Sequence, residues 1–139
     1  MQNQRNKNGE DGVIHVLLVE DNPINQKVMG RMIDSLGGAT VEAVDSGEAA
    51  IGKLEAESFD LVFMDLQLDG MDGIQTTEEI RKMRSAATDP KVPVIMLSGY
   101  SDRASEERAR SAGADEYVLK PVDPDRLAEI LERVRSASI

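Results

Sequence analysis

Five short apolar runs punctuate the chain, at residues 13–19, 40–44, 60–64, 93–97 and 116–119. Each is strand-length and mostly β-branched or aliphatic, the composition that suits a pleated, buried surface. Amphipathic stretches fill the gaps. Asn22-Pro23 reads as an N-cap followed by proline at the first helical position, and Ile24, Val28, Met32 and Leu36 then recur every fourth residue until Gly37 and Gly38 stop the helix. Ser46 can cap a second helix that carries Ala49, Ala50 and Leu54. Ile74, Thr77, Ile80 and Met83 mark a third, and Ser101 can cap a fourth that ends at Gly113. Asp123-Pro124 repeats the cap-and-proline device before the stripe of Leu127, Ile130, Leu131 and Val134.

Strands that alternate with helices predict a parallel sheet covered on both faces. The first, third and fourth runs are close to continuously apolar, as central strands should be, whereas the second carries Glu42 and the fifth opens on Glu116. Those two suit the edges. The doubly wound order 2-1-3-4-5 fits this division, and in such sheets ligands gather at the carboxyl ends of the strands.

Composition narrows the picture. At 139 residues and 40% apolar content there is room for one domain with a sizeable core. Residues 1–12 are polar and read as a disordered lead-in, leaving 13–136 as the domain. That lead-in has no apolar segment of a secretory signal, and no run of about eighteen apolar residues exists to span a membrane. The absence of cysteine excludes disulfides, thiolate metal sites and a cysteine nucleophile, and fits a reducing, cytoplasmic setting. A net charge of −10 argues against direct nucleic-acid binding, which depends on Lys and Arg neutralising phosphates.

The candidate chemistry lies just past the apolar runs. Glu20-Asp21 follows the first, Asp65 the third, Ser98 the fourth, and Lys120-Pro121 the fifth. Three crowded carboxylates repel unless a cation lies between them, and an all-oxygen set selects Mg²⁺, with Mn²⁺ as a substitute, over zinc or copper. Such an ion would also neutralise an incoming phosphoryl group while a carboxylate attacks it. Lys120 supplies a positive charge for a phosphoryl oxygen and Ser98 a hydroxyl donor. This donor set suits an aspartyl phosphate, not a hydrolytic triad.

The stretches VLLVEDNPINQKV, DLVFMDLQLDGMDG, PVIMLSG and AGADEYVLKP resemble those of two-component response-regulator receiver domains, a likeness that runs from about Val13 to Ser136. The resemblance implies a flavodoxin-like (βα)5 three-layer sandwich, with Asp65 as the phosphorylated residue. It implies Mg²⁺ held by the Asp21 and Asp65 carboxylates, by Glu20 through its carboxylate or a water, and by the backbone carbonyl of Gln67, with phosphoryl contacts from Ser98, Gly99 and Lys120. It further implies a cis Lys120–Pro121 bond and a switch pair, Ser98 and Tyr117, in which the hydroxyl moves toward the phosphoryl group as the ring turns inward. The phosphoryl donor would be a histidine kinase or histidine phosphotransfer domain, and a face made of the fourth helix, the fifth strand and the fifth helix would meet a downstream target. The protein would catalyse its own phosphorylation and its own slow dephosphorylation, as a monomer or a phosphorylation-dependent dimer.

Some features depart from the family or stand apart from it. Asp69-Gly70 occupies a turn where the family often has proline, which predicts a looser, more acidic loop. Gly99 keeps the entrance uncrowded, and Gln67 and Tyr100 hold positions that tune phosphoryl lifetime in the family. The fourth helix offers only Ala104, Ala109 and Ala112 to a core, so little area holds it in place. His15, the only histidine, lies inside a predicted strand and reads as structural, so the phosphoryl group must come from elsewhere. LLVEDNPINQKV is similar to receivers fused to hybrid sensor kinases and LSGYSD to other receivers, while the initial Met and polar lead-in point toward a complete small protein. Two rivals use related parts. A haloacid-dehalogenase-type phosphatase would place an acid where Gln67 stands and would need a cap domain. A flavin module on this topology would have its phosphate repelled by Glu20-Asp21. A pseudo-receiver that only binds partners would not need the acids or Lys120.

Overall fold

A computed structural model describes residues 12–137. Five parallel strands, β1 (Ile14–Val19), β2 (Ala39–Val44), β3 (Leu61–Asp65), β4 (Val94–Ser98) and β5 (Glu116–Leu119), alternate with five helices, α1 (Pro23–Leu36), α2 (Gly47–Ala56), α3 (Gly73–Arg81), α4 (Arg103–Ala112) and α5 (Pro124–Ala137). The sheet order is β2-β1-β3-β4-β5, the flavodoxin-like doubly wound arrangement, with the two charge-bearing strands at the edges. The proposed lead-in falls almost wholly outside the described residues.

Alternation along the strands sorts the core into two layers. Leu17, Val19, Val62, Met64, Val94 and Met96 face α2, α3 and α4. Ile14, Val16, Leu18, Phe63, Ile95 and Leu97 face α1 and α5. The parallel register sets Val19 beside Met64 and Asp65 beside Leu97, so the carboxyl ends of β1, β3 and β4 share one rim.

Helix capping follows local chemistry. The Asn22 side chain accepts hydrogen bonds from the backbone N–H groups of Ile24 (2.9 Å) and Asn25 (3.2 Å). Asp72 and Gln75 form a reciprocal capping box at α3. The fourth helix corrects the sequence reading twice. Its cap is Asp102, not Ser101, because the Asp102 carboxylate accepts from both the backbone and the hydroxyl of Ser105. Ala104 is exposed, and only Ala109 and Ala112 are buried. At about 0.8 kcal/mol per buried methyl-sized group, α4 is held weakly by its own apolar surface.

The first helix forms with the predicted cap and stop, between Asn22 and Gly37. The series chosen from the sequence lies mainly outside: Ile24 is 70% exposed, Val28 53% and Leu36 40%. Met29 and Ile33 face the core in its place, with Met32 partly packed beside them. A spacing of four drifts around a helix of 3.6 residues per turn, so the periodicity identified the helix but not which flank the sheet would cover.

No helix among the described residues is long and apolar enough to cross a membrane.

Candidate functional site at the carboxyl rim

Asp65 is the last residue of β3 and is 4% exposed. Its loop is pinned as it leaves the strand: Leu66 N–H donates to the Leu97 carbonyl at 2.8 Å, and Gly73 N–H donates to the Leu66 carbonyl at 3.1 Å. Gly73 is required by close approach, because a Cβ there would collide with the Asp65 carbonyl oxygen. The Gln67 N–H donates to Asp65 Oδ1 at 3.1 Å, turning the carboxylate toward the rim.

Glu20 leaves β1 buried, its Oε2 accepting the Asn22 N–H at 3.1 Å. Asp21, half-buried, sits between Glu20 and the helix cap. Carboxylate oxygens of Glu20, Asp21 and Asp65 lie within 4.8 Å of one another. Lys120, just past β5, places Nζ 3.2 Å from Glu20 Oε1 and 3.1 Å from Asp65 Oδ1, and the Lys120–Pro121 peptide is cis. The four residues therefore meet in one cluster.

The electrostatics follow from that crowding. Burial pushes the Asp65 carboxyl up to about 6; the Lys120 ammonium and the Gln67 N–H pull against this, and the Glu20 charge adds to it. Burial alone would lower Lys120, but its contacts with Asp65 and Glu20 outweigh that and hold the ammonium above its ordinary value. An all-carboxylate donor set with one interposed ammonium is a place where a hard cation fits and where His or Cys chemistry is lacking.

Ser98 and Tyr117 converge on a different group. The Ser98 hydroxyl, buried at the end of β4, accepts the Tyr100 N–H at 3.0 Å, while the Tyr117 hydroxyl donates to the Tyr100 carbonyl at 2.9 Å. Both side chains thus hold the backbone of Tyr100, a shared anchor that no sequence motif announces. The Tyr117 ring is already partly buried against the α2–α4 side of the core, so an inward turn would begin from a half-buried position. Gly99 is exposed, and a Cβ there would meet nothing within 4 Å, which leaves the entrance open. Gln67 is exposed beside Asp65, and Gly70 takes φ 73° in the Asp69-Gly70 turn.

A second group, His15, Glu42 and Glu57, also brings ligand atoms together. Here Lys53 bridges Glu42 (2.6 Å) and Glu57 (2.7 Å), while His15 contacts Glu42 at 2.6 Å and the Ser58 carbonyl at 3.1 Å, its ring stacked on Phe59. The cluster cross-links β1, β2 and α2, with Lys53 between the two carboxylates, which fits the structural reading of His15.

Fold and rim together define a class. The response regulator receiver domain model matches residues 16–132, and the chain belongs to that family. Among the similar proteins, sensor histidine kinase GacS of Pseudomonas protegens is 40% identical over 117 residues, covering 84% of this chain and 12% of the kinase. BarA of Escherichia coli K12, a signal transduction histidine-protein kinase, is 32% identical over 123 residues, covering 88% of this chain and 13% of BarA. The chain therefore spans only about an eighth of the length of these relatives. Among solved structures, the receiver domain of sensor histidine kinase PA1611 from Pseudomonas aeruginosa PAO1, which has a magnesium ion in its active-site cleft, matches with a TM-score of 0.79 and 35% identity. That match covers 88% of this chain and 98% of the PA1611 domain.

Proposed function

We propose that this chain is a phosphoacceptor switch that takes a phosphoryl group on Asp65 from a phosphohistidine of a histidine kinase or phosphotransfer protein. The observation that carries the reading is the contact of Lys120 with both Asp65 and Glu20 inside a three-carboxylate cluster. An Asp65 oxygen attacks phosphorus, the phosphorus–nitrogen bond breaks, and the electron pair returns to the imidazole, which takes up a proton. Glu20, Asp21, Asp65 and the Gln67 carbonyl would hold Mg²⁺, which supplies charge neutralisation for the phosphoryl oxygens. Lys120 contacts one of those oxygens, and the Ser98 hydroxyl and the open approach at Gly99 complete the pocket. Slow hydrolysis of the acyl phosphate resets the protein.

Incubation with acetyl phosphate and Mg²⁺ followed by intact mass measurement tests the reading. One added phosphoryl group, lost when the metal is chelated beforehand, is expected. Its absence with acetyl phosphate and with a phosphohistidine donor alike would leave a pseudo-receiver.

The outer flank of α1 offers the donor a landing surface. Ile24 and Val28 are exposed on the helix that begins beside Glu20-Asp21, and a groove of about 290 Å³ between α1 and the Lys120–Val122 segment is lined by Val28, Met29, Met32 and Pro121. A helical protein bearing phosphohistidine would bury this stripe while presenting phosphorus to Asp65. Val28→Glu is expected to slow transfer from such a donor by roughly tenfold or more, about the effect of losing one well-buried contact. Phosphorylation by acetyl phosphate should be unchanged; equal slowing with both donors would remove α1 from the docking surface.

The reporting surface would be α4, β5 and α5. It rests on the small buried area of α4 and on the backbone at Tyr100 that Ser98 and Tyr117 share. Drawing the Ser98 hydroxyl toward a phosphoryl group would release the Tyr100 N–H and loosen the loop that leads into α4. Amide exchange should therefore change from Ser101 to Tyr117 on addition of a phosphoryl mimic, and identical protection in both states would refute the switch.

A further inference from the structure

We propose that Gln26 is a positioning residue for the metal-binding acids, an inference that rests on the reading that Glu20, Asp21 and Asp65 bind Mg²⁺. Gln26 lies one turn into α1, and its backbone N–H donates to the Asn22 carbonyl at 3.0 Å. Its side chain turns back under the loop before the helix. The amide Nε2 donates to the Glu20 carbonyl at 2.7 Å and reaches the Val44 carbonyl at 3.4 Å. The Val44 carbonyl also accepts the Glu20 N–H at 3.0 Å. One neutral amide thus ties together the ends of β1 and β2 and the first turn of α1.

The consequence falls on Glu20 and Asp21. These residues lie between the last β1 pairing, Val19 with Val44, and the Asn22 cap, so no strand partner holds Asp21 in place. Mutual repulsion with Asp65 would drive both acids outward. Gln26 opposes that by fixing the peptide that joins them, and it does so without adding a charge that would compete with a cation or repel one. A residue that holds ligands in place in this way changes how tightly a metal binds, not what happens once the metal is bound.

The test is acetyl-phosphate phosphorylation as a function of Mg²⁺ concentration on the full chain, with calorimetric Mg²⁺ titration in parallel. Gln26→Met keeps the shape and removes the donor, and Gln26→Asn keeps the amide but is one methylene too short. Loss of one hydrogen bond predicts that both raise the Mg²⁺ concentration for half-maximal rate by roughly three- to tenfold, with the saturated rate unchanged. An unchanged Mg²⁺ requirement in both variants overturns the assignment. So does a fall in the saturated rate that tracks a large loss of melting temperature in chelator, which would make Gln26 merely structural. A wild-type chain that neither binds Mg²⁺ nor forms the adduct overturns the phosphoacceptor reading itself, and the two failures are told apart by that control.

Discussion

Asp65→Asn is expected to abolish the phosphoryl adduct and to remove a pH-dependent weakness of the metal-free fold. The first effect follows from chemistry, because an amide oxygen is no nucleophile toward phosphorus at a useful rate. Intact mass after incubation with acetyl phosphate reads it directly. An adduct that survives Asp65→Asn but vanishes in Asp21→Asn would move the acceptor to the neighbouring acid. The second effect follows from burial. The Asp65 carboxyl is raised to about 6 in the fold against 3.8 as the ordinary value, chiefly by burial, with the Glu20 charge adding to it. The folded chain therefore holds this proton more tightly than the unfolded chain. The stability this contributes is fully present below pH ~4 and is lost as pH rises through about 6. Denaturant midpoints in chelator should thus fall more steeply for wild type than for Asp65→Asn between pH 4 and 7. Added Mg²⁺ should raise the wild-type midpoint with the logarithm of its concentration above the dissociation constant and narrow the gap. Parallel pH profiles for the two proteins would show that the fold does not hold the Asp65 proton more tightly than the unfolded chain does.

Much of this site was legible in the sequence because the fold puts chemistry at predictable places. Each central strand is an apolar run, so its end marks the rim, and the residues just there are Glu20, Asp65, Ser98 and, after the edge strand, Lys120. The two edge strands could be read from charge, since Glu42 and Glu116 suit edges, while the full order came from the doubly wound pattern that this division fits. What escaped reading depends on relative orientation. Helical spacing of Ile24, Val28, Met32 and Leu36 marked α1 as a helix but not its buried flank, and the sheet covers Met29 and Ile33, one position further round. The cap of α4 moved by one residue because Asp102 reaches both donors of Ser105. Gln26 lies inside the VLLVEDNPINQKV stretch, but nothing in that pattern gave it a role; only its position one turn after an N-cap, beside a strand end, suggests a polar side chain folded back onto the loop. Arg81 was equally silent. It donates to the carbonyls of Pro90, Val92 and Gly113 and pairs with Asp115, tying α3 to the far end of α4. That role depends on two separate loops, α3–β4 and α4–β5, meeting around one guanidinium, which no local pattern encodes.

Lys120→Met is expected to slow phosphorylation by about 10²-fold or more while tightening the hold on Mg²⁺, two effects that separate its roles. In the metal-free site the ammonium is the cation among the carboxylates, 3.1 Å from Asp65 and 3.2 Å from Glu20. Removing it leaves two buried carboxylates without their counter-charge. The cost is roughly 1–3 kcal/mol, moderated because the lysine side chain is itself partly solvated. The Asp65 carboxyl should then rise further, so the variant in chelator should lose stability with rising pH more steeply than wild type does. A divalent ion meets less opposition once the competing charge is gone, so Mg²⁺ should bind more tightly and restore most of the lost stability. Transfer should still be slow, because loss of one fixed donor to a developing oxyanion typically costs about 10²–10³ in rate. Calorimetric titration and the rate at saturating Mg²⁺ separate these outcomes. Weaker Mg²⁺ binding with an unchanged saturated rate would make Lys120 a support for the acid cluster and leave the phosphoryl group without its ammonium.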